Sequence, residues 1–140
     1  MIAASESVLF VNTPLEIVMR RELLDTILEG GKRLFPKEEI LLLRGRKDKN
    51  RIEITDLLIP PLANRGRGFA QVPLYMMPMD FSVVGMVHSH PSGNVSPSNV
   101  DLNHFFGRIL MIVGAPFADE QNVAVYDSLG ERLPLQVTTV

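Results

Sequence analysis

The sequence contains no cysteine and no tryptophan. The first absence removes disulfides, thiol nucleophiles, cysteine-ligated zinc and iron–sulfur clusters together. Any metal must be held by His, Asp or Glu, and only three histidines occur among the 140 residues. No apolar run approaches the ~18 residues of a membrane span, and the N-terminus lacks a basic region followed by an apolar stretch. These absences predict a cytoplasmic protein that does not partner a membrane. Charge of either sign is also scarce in net terms: the formal net charge is -2, so no global field favours nucleic acid. Two local basic clusters, Arg44-Gly45-Arg46-Lys47 and Arg65-Gly66-Arg67, read as solvated loops.

What is present is a globular balance, 46% apolar and 21% charged, which excludes a disordered chain. With no internal repeat, low-complexity segment or Ser/Gly linker, residues 1–140 are expected to form one domain. Ser7 to Asn12 suits a short strand. Thr13-Pro14-Leu15-Glu16 fits a capping box, yet Leu15, Ile17 and Met19 alternate as in a strand. Both readings lead into a helix around Arg20 to Leu34, with Leu24, Ile27 and Leu28 on one face and Pro36 ending it. Strands are expected at Glu38–Leu43, Arg51–Ile59, Phe81–His90, Ile109–Val113, Asn122–Tyr126 and Leu133–Val137. A helix is expected from about Ser98 to Gly107. Leu62 to Asp80 is the least regular stretch. Helices and strands alternate early and strands dominate late, so the fold class is α/β, a mixed sheet flanked by helices.

The segment HSHPSGNVSPSNVD, residues 88 to 101, carries the chemistry. Alternation along a strand puts His88 and His90 on one face at its end. Two imidazoles there can reach one ion, and zinc accepts nitrogen and oxygen ligands at about 2.0–2.2 Å. Asp101, in the first turn of the following helix, is a natural third ligand. Each piece also has a bland reading. A polar pair suits any exposed strand end, and Ser98-x-x-Asp101 is what a helix N-cap looks like. The conjunction favours the site, and capping and ligation can coexist.

His88-Ser89-His90, seven intervening residues, then Ser98-x-x-Asp101 resembles the full motif of the JAMM (MPN+) zinc metalloproteases. The resemblance extends over roughly residues 15 to 137. It implies a mixed curved sheet of the JAMM/MPN, cytidine-deaminase-like kind, and favours a strand at Leu15–Met19. It also asks for an upstream Glu at a strand start. Glu38 matches that position by its distance to Gly45, with Glu39, on the opposite face, as the fallback.

The resemblance implies one Zn2+ per chain on His88, His90 and Asp101, with Glu38 as general base and acid and Ser98 as oxyanion donor. It implies hydrolysis of the amide between a ubiquitin-like modifier's C-terminus and a lysine or peptide tail. The partner would then be that modifier or its conjugates. Leu62–Asp80 sits where the family places an insertion beside the cleft; Phe69, Val72, Leu74, Tyr75, Met76, Met77 and Met79 could contact a partner there, though core packing explains them at least as well. Ser7–Asn12 could pair within the domain or across a homodimer. His104 is expected at the surface, outside the site. Two alternatives stand beside the protease. A non-catalytic module of the same fold would lack motif ligands that this chain keeps. A RadC-like protein, whose loop wording is similar, would associate with DNA, against which the weak net charge argues.

Overall fold

The computed structural model describes residues 15–60, 82–103 and 107–139, together with the backbone of 64–66 and 69–71. The expected strand Ser7–Asn12, the side chains of Leu62–Asp80 and His104 lie outside the described residues.

The ambiguity at Leu15–Met19 resolves as a strand. Glu16–Arg20 is β1, and Arg21–Leu34 is α1. The capping-box reading fails because β1 is paired in parallel on both sides, with β3 (Arg51–Leu58) and with β10 (Leu135–Thr138). Two ladders outweigh a local turn signal. Arg20 stands at the helix N-cap with extended backbone and no side-chain cap. Leu24, Ile27, Leu28 and Gly31 make the buried stripe of α1.

The remaining elements are β2 (Ile40–Lys47), β4 (Asn64–Gly66), β5 (Phe69–Gln71), β6 (Val83–His90), α2 (Asn99–Asn103), β7 (Ile109–Gly114), β8 (Val123–Tyr126) and β9 (Arg132–Leu133). Among the described residues β4 and β5 form a small hairpin. Eight strands form one mixed sheet in the order β10-β1-β3-β2-β6-β7-β8-β9. Two expectations change. β2 continues through Gly45, past its expected end, on a register shift between Arg44 and Gly45. A Cβ at Gly45 would lie 2.0 Å from Glu53 O, so only glycine lets the strands pass.

The expected strand Leu133–Val137 is split by Pro134. β9 joins one edge of the sheet and β10 the other. These edges are consecutive in sequence, so the sheet curls until its two ends meet at Pro134, whose carbonyl accepts from Ile17 N at 3.2 Å.

The main core, including Leu24, Leu41, Leu43, Val84, Val87, Met111 and Val125, fills the α1 side of this curl. A smaller cluster, Leu110, Ile112, Ala124 and Tyr126, covered by Val95 and Leu102, lies apart from it. Both faces of Ile40–Leu43 in β2 and of Val83–Val87 in β6 are buried, which is why these stretches read as apolar runs. Among the described residues no helix is long and apolar enough to cross a membrane.

Candidate metal centre

β6 ends where the chemistry begins. It pairs with β2 on one side (Ile40 opposite His88) and with β7 on the other (His88 beside Ile112, His90 beside Gly114). The loop after His90 turns back over the end of β7. Gly93 N donates to His90 O at 3.0 Å, and Ala115 N donates to the same carbonyl at 3.2 Å. Gly93 has φ 88°, and a Cβ at Gly114 would lie 2.9 Å from Gly93 O. The crossing is a backbone-on-backbone contact that side chains would prevent.

The loop delivers Ser98 to α2 as its cap. Ser98 Oγ accepts from Asp101 N at 3.0 Å, and Asp101 Oδ2 accepts from Ser98 N at 2.8 Å. This is a capping box with Asp in the third helical position. The same carboxylate meets both histidines. Asp101 Oδ2 lies 3.1 Å from His90 Nε2, and Oδ1 lies 3.5 Å from His88 Nδ1. Capping and site roles thus coincide in one side chain.

His90 is oriented by its other nitrogen: Nδ1 donates to the carbonyl of Asn94 at 2.7 Å. A carbonyl only accepts, so Nδ1 carries the hydrogen and Nε2 is the variable position. Burial opposes charge on His90. The hydrogen bonds to Asp101 and Asn94 and the charges of Asp101 and Glu38 outweigh it and raise the pKa. Asp101 is also resisted by burial, but the bonds from His90 and Ser98 and the two nearby imidazoles bring it down to about 2.

His88 differs. It is 3% exposed, and among the described residues neither ring nitrogen has a hydrogen-bond partner. Burial pushes its pKa down to about 4, against the pull of Asp101, so it is neutral at neutral pH. A buried imidazole with both nitrogens unsatisfied is costly unless something else uses a lone pair.

The two upstream acids separate by strand alternation. Glu39 shares its face with Leu41 and Leu43, and its carboxylate lies against Gly30 of α1, where a Cβ would sit 1.9 Å from Oε2. Glu38 is on the other face and is coupled electrostatically to His90 and Asp101. Burial raises its pKa to about 7, with His90 lowering it and Asp101 adding to the rise. Of the two, Glu38 therefore belongs with the site.

Among the described residues no three His, Asp or Glu groups are splayed about a common point as ligands are. These three meet pairwise across Asp101. Their fit to an ion rests on the chemistry of the donor set. The pairing of a unsatisfied neutral imidazole, a second imidazole with a fixed tautomer and an ionised carboxylate is a donor set suited to zinc.

The sequence brought His88, His90, Asp101, Ser98 and Glu38 to attention. It missed the Asn94 carbonyl, which no side-chain motif announces. It also gave no role to Ser89. Alternation turns Ser89 to the opposite face, where its fully buried Oγ accepts from Glu39 N at 2.6 Å.

Known proteins share this fold. A curated protein of Haloferax volcanii, named a probable metalloprotease, is 36% identical over 121 residues, covering 81% of this chain and 74% of its own. A solved JAB1/MPN domain protein from Archaeoglobus fulgidus is 36% identical with a TM-score of 0.65, covering 89% of this chain and 99% of its own. A structure described as "JAMM: A Metalloprotease-like Zinc Site in the Proteasome and Signalosome" is 32% identical with a TM-score of 0.60, over 90% and 99% of the two chains. The α/β fold is therefore that of the JAB1/MPN domains, as the motif implied. The family of prokaryotic homologues of the JAB domain matches residues 20–127, and to that family this chain belongs.

Proposed function

We propose that the protein is a zinc metalloprotease that cleaves the amide joining a ubiquitin-like modifier's C-terminus to a lysine or peptide tail. The observation that carries the reading is the meeting of His88, His90 and Asp101 beside a buried Glu38 whose pKa lies about 7. The names of the Haloferax relative and of the JAMM zinc-site structure support it.

His88, His90 and Asp101 would hold one zinc ion. Zinc in such a site acts as a Lewis acid and acidifies water. Glu38 takes a proton from the attacking water and returns it to the leaving amine. A pKa near 7 suits both halves of that task, since the group is neither too weak a base nor too weak an acid at neutral pH. The Ser98 hydroxyl accepts from Asp101 N, which leaves its own hydrogen free to donate to the amide oxygen as negative charge develops there. The modifier class follows from the family resemblance. An extended C-terminal tail is suited to binding by strand addition.

The test is direct. Purified protein should contain one zinc per chain and should release free modifier from modifier–lysine conjugates, with the activity lost in chelator and restored by zinc. Protein without stoichiometric zinc after growth in zinc sinks the metalloprotease reading. Zinc-loaded protein that cleaves other peptides but no conjugate sinks only the modifier specificity.

A further inference from the structure

The loop from His90 to Ser98 has no regular structure, yet it determines where Asp101 meets the histidines. Two successive carbonyls of this loop are each held by a side chain. Asn94 O accepts from His90 Nδ1 at 2.7 Å. Val95 O accepts from the hydroxyl of Tyr126 on β8, also at 2.7 Å. These carbonyls belong to adjoining peptide groups joined at the Val95 Cα, so holding one leaves only the φ and ψ of Val95 by which the other can move.

The Tyr126 ring lies in the cluster of Leu110, Ile112 and Ala124, on which Val95 and Leu102 of α2 pack. One residue thus seats the ligand loop twice, as a member of the cluster on which Val95 packs and by its hydroxyl on the Val95 carbonyl. Phenylalanine would supply the ring equally well. The hydroxyl adds only the grip on the loop.

We infer that Tyr126 is a positioning residue for the metal centre, its hydroxyl holding the Val95 carbonyl and, through it, the Asn94 carbonyl that fixes the tautomer of His90. The inference rests on the reading of His90 as a zinc ligand. Partners that orient a metal-binding imidazole typically change metal affinity 10–100-fold when removed. A hydroxyl serving packing alone behaves differently. It would lower the stability of zinc-free and zinc-loaded protein equally and leave zinc affinity unchanged.

The experiment compares full-length wild type with Tyr126→Phe. NMR of the zinc-free proteins follows solvent exchange of the His90 Nδ1 hydrogen, and chelator competition gives zinc affinity. Exchange should be about tenfold faster in the variant and zinc binding about tenfold weaker. Exchange at the wild-type rate overturns the inference. So does faster exchange with zinc affinity within twofold of wild type. Should wild type itself bind no zinc, the proposed function fails separately, and the exchange rates alone decide whether Tyr126 holds the His90 tautomer.

Discussion

Ser89 Oγ accepts the backbone N–H of Glu39 at 2.6 Å, across fifty residues of sequence, while Ser89 N donates back to Glu39 O at 3.0 Å. The residue between the two histidines therefore fastens the segment that carries Glu38. Ser89→Ala leaves a buried N–H without its acceptor, which costs about 1–3 kcal/mol. The urea midpoint should fall accordingly. Under the proposed function, turnover of a modifier conjugate should fall about tenfold or more, because Glu38, the proposed base, is displaced while His88 and His90 keep their strand. A variant of wild-type stability would mean that this bond contributes nothing net.

Glu38→Gln should retain zinc and lose turnover by about 10²–10⁴-fold, the usual contribution of a positioned acid–base group. Glu39→Gln should retain most activity, because its carboxyl lies against Gly30 on the far side of the strand. Paired zinc analysis and kinetics on both variants distinguish them. Loss of turnover in Glu39→Gln with normal activity in Glu38→Gln would reverse the assignment.

Much of this was legible in the sequence because it depends on short-range rules. Period-two alternation put His88 and His90 together and sent Glu38 and Glu39 apart. The Ser98-x-x-Asp101 cap is local and formed as written. The elements that local rules left open or misplaced depend on distant partners. Leu15–Met19, open between cap and strand by its own residues, is the strand the resemblance favoured, flanked by β3 and β10. Leu133–Val137 split because closing the curled sheet requires its halves on opposite edges. Tyr126 and Val95 are thirty-one residues apart and meet through a carbonyl, a group every residue has. No pattern of side chains could have signalled that bond.

His88 and Glu38 should oppose each other in the pH dependence of stability. Burial lowers His88 from 6.5 to about 4, so the unfolded chain protonates first and stability rises with pH between those values. Burial raises Glu38 from 4.5 to about 7, so the folded chain keeps its proton longer and stability falls with pH between those values. The shifts are of similar size. Zinc-free wild type should therefore have nearly flat stability from pH 4.5 to 6.5. The upward shift of His90 acts above that window, and that of Asp101, down to about 2 from 3.8, acts below it. Glu38→Gln removes one arm, and its stability should climb by a few kcal/mol across the same window. Urea melts in chelator at several pH values check this; a flat profile in the variant would refute the opposed shifts.

Asp101→Asn separates capping from ligation. The amide oxygen can still accept from Ser98 N, and the backbone N–H still donates to Ser98 Oγ, so α2 keeps its cap. What disappears is the negative charge facing His88 and His90. Without it His90 loses the main force that favours its protonated form, and His88 loses its only nearby anion among the causes of its shift. The zinc-free variant should melt below wild type, because the low pKa of Asp101 means that its ionised carboxylate stabilises the fold, and that contribution goes with the charge. The zinc response should differ sharply. Zinc at a hundred times its dissociation constant stabilises a folded protein by about 2.7 kcal/mol, and wild type should show an upward shift in Tm of that origin. Asp101→Asn should show almost none at the same concentration. A variant that gains as much from zinc as wild type would place the ion elsewhere and remove Asp101 from the donor set.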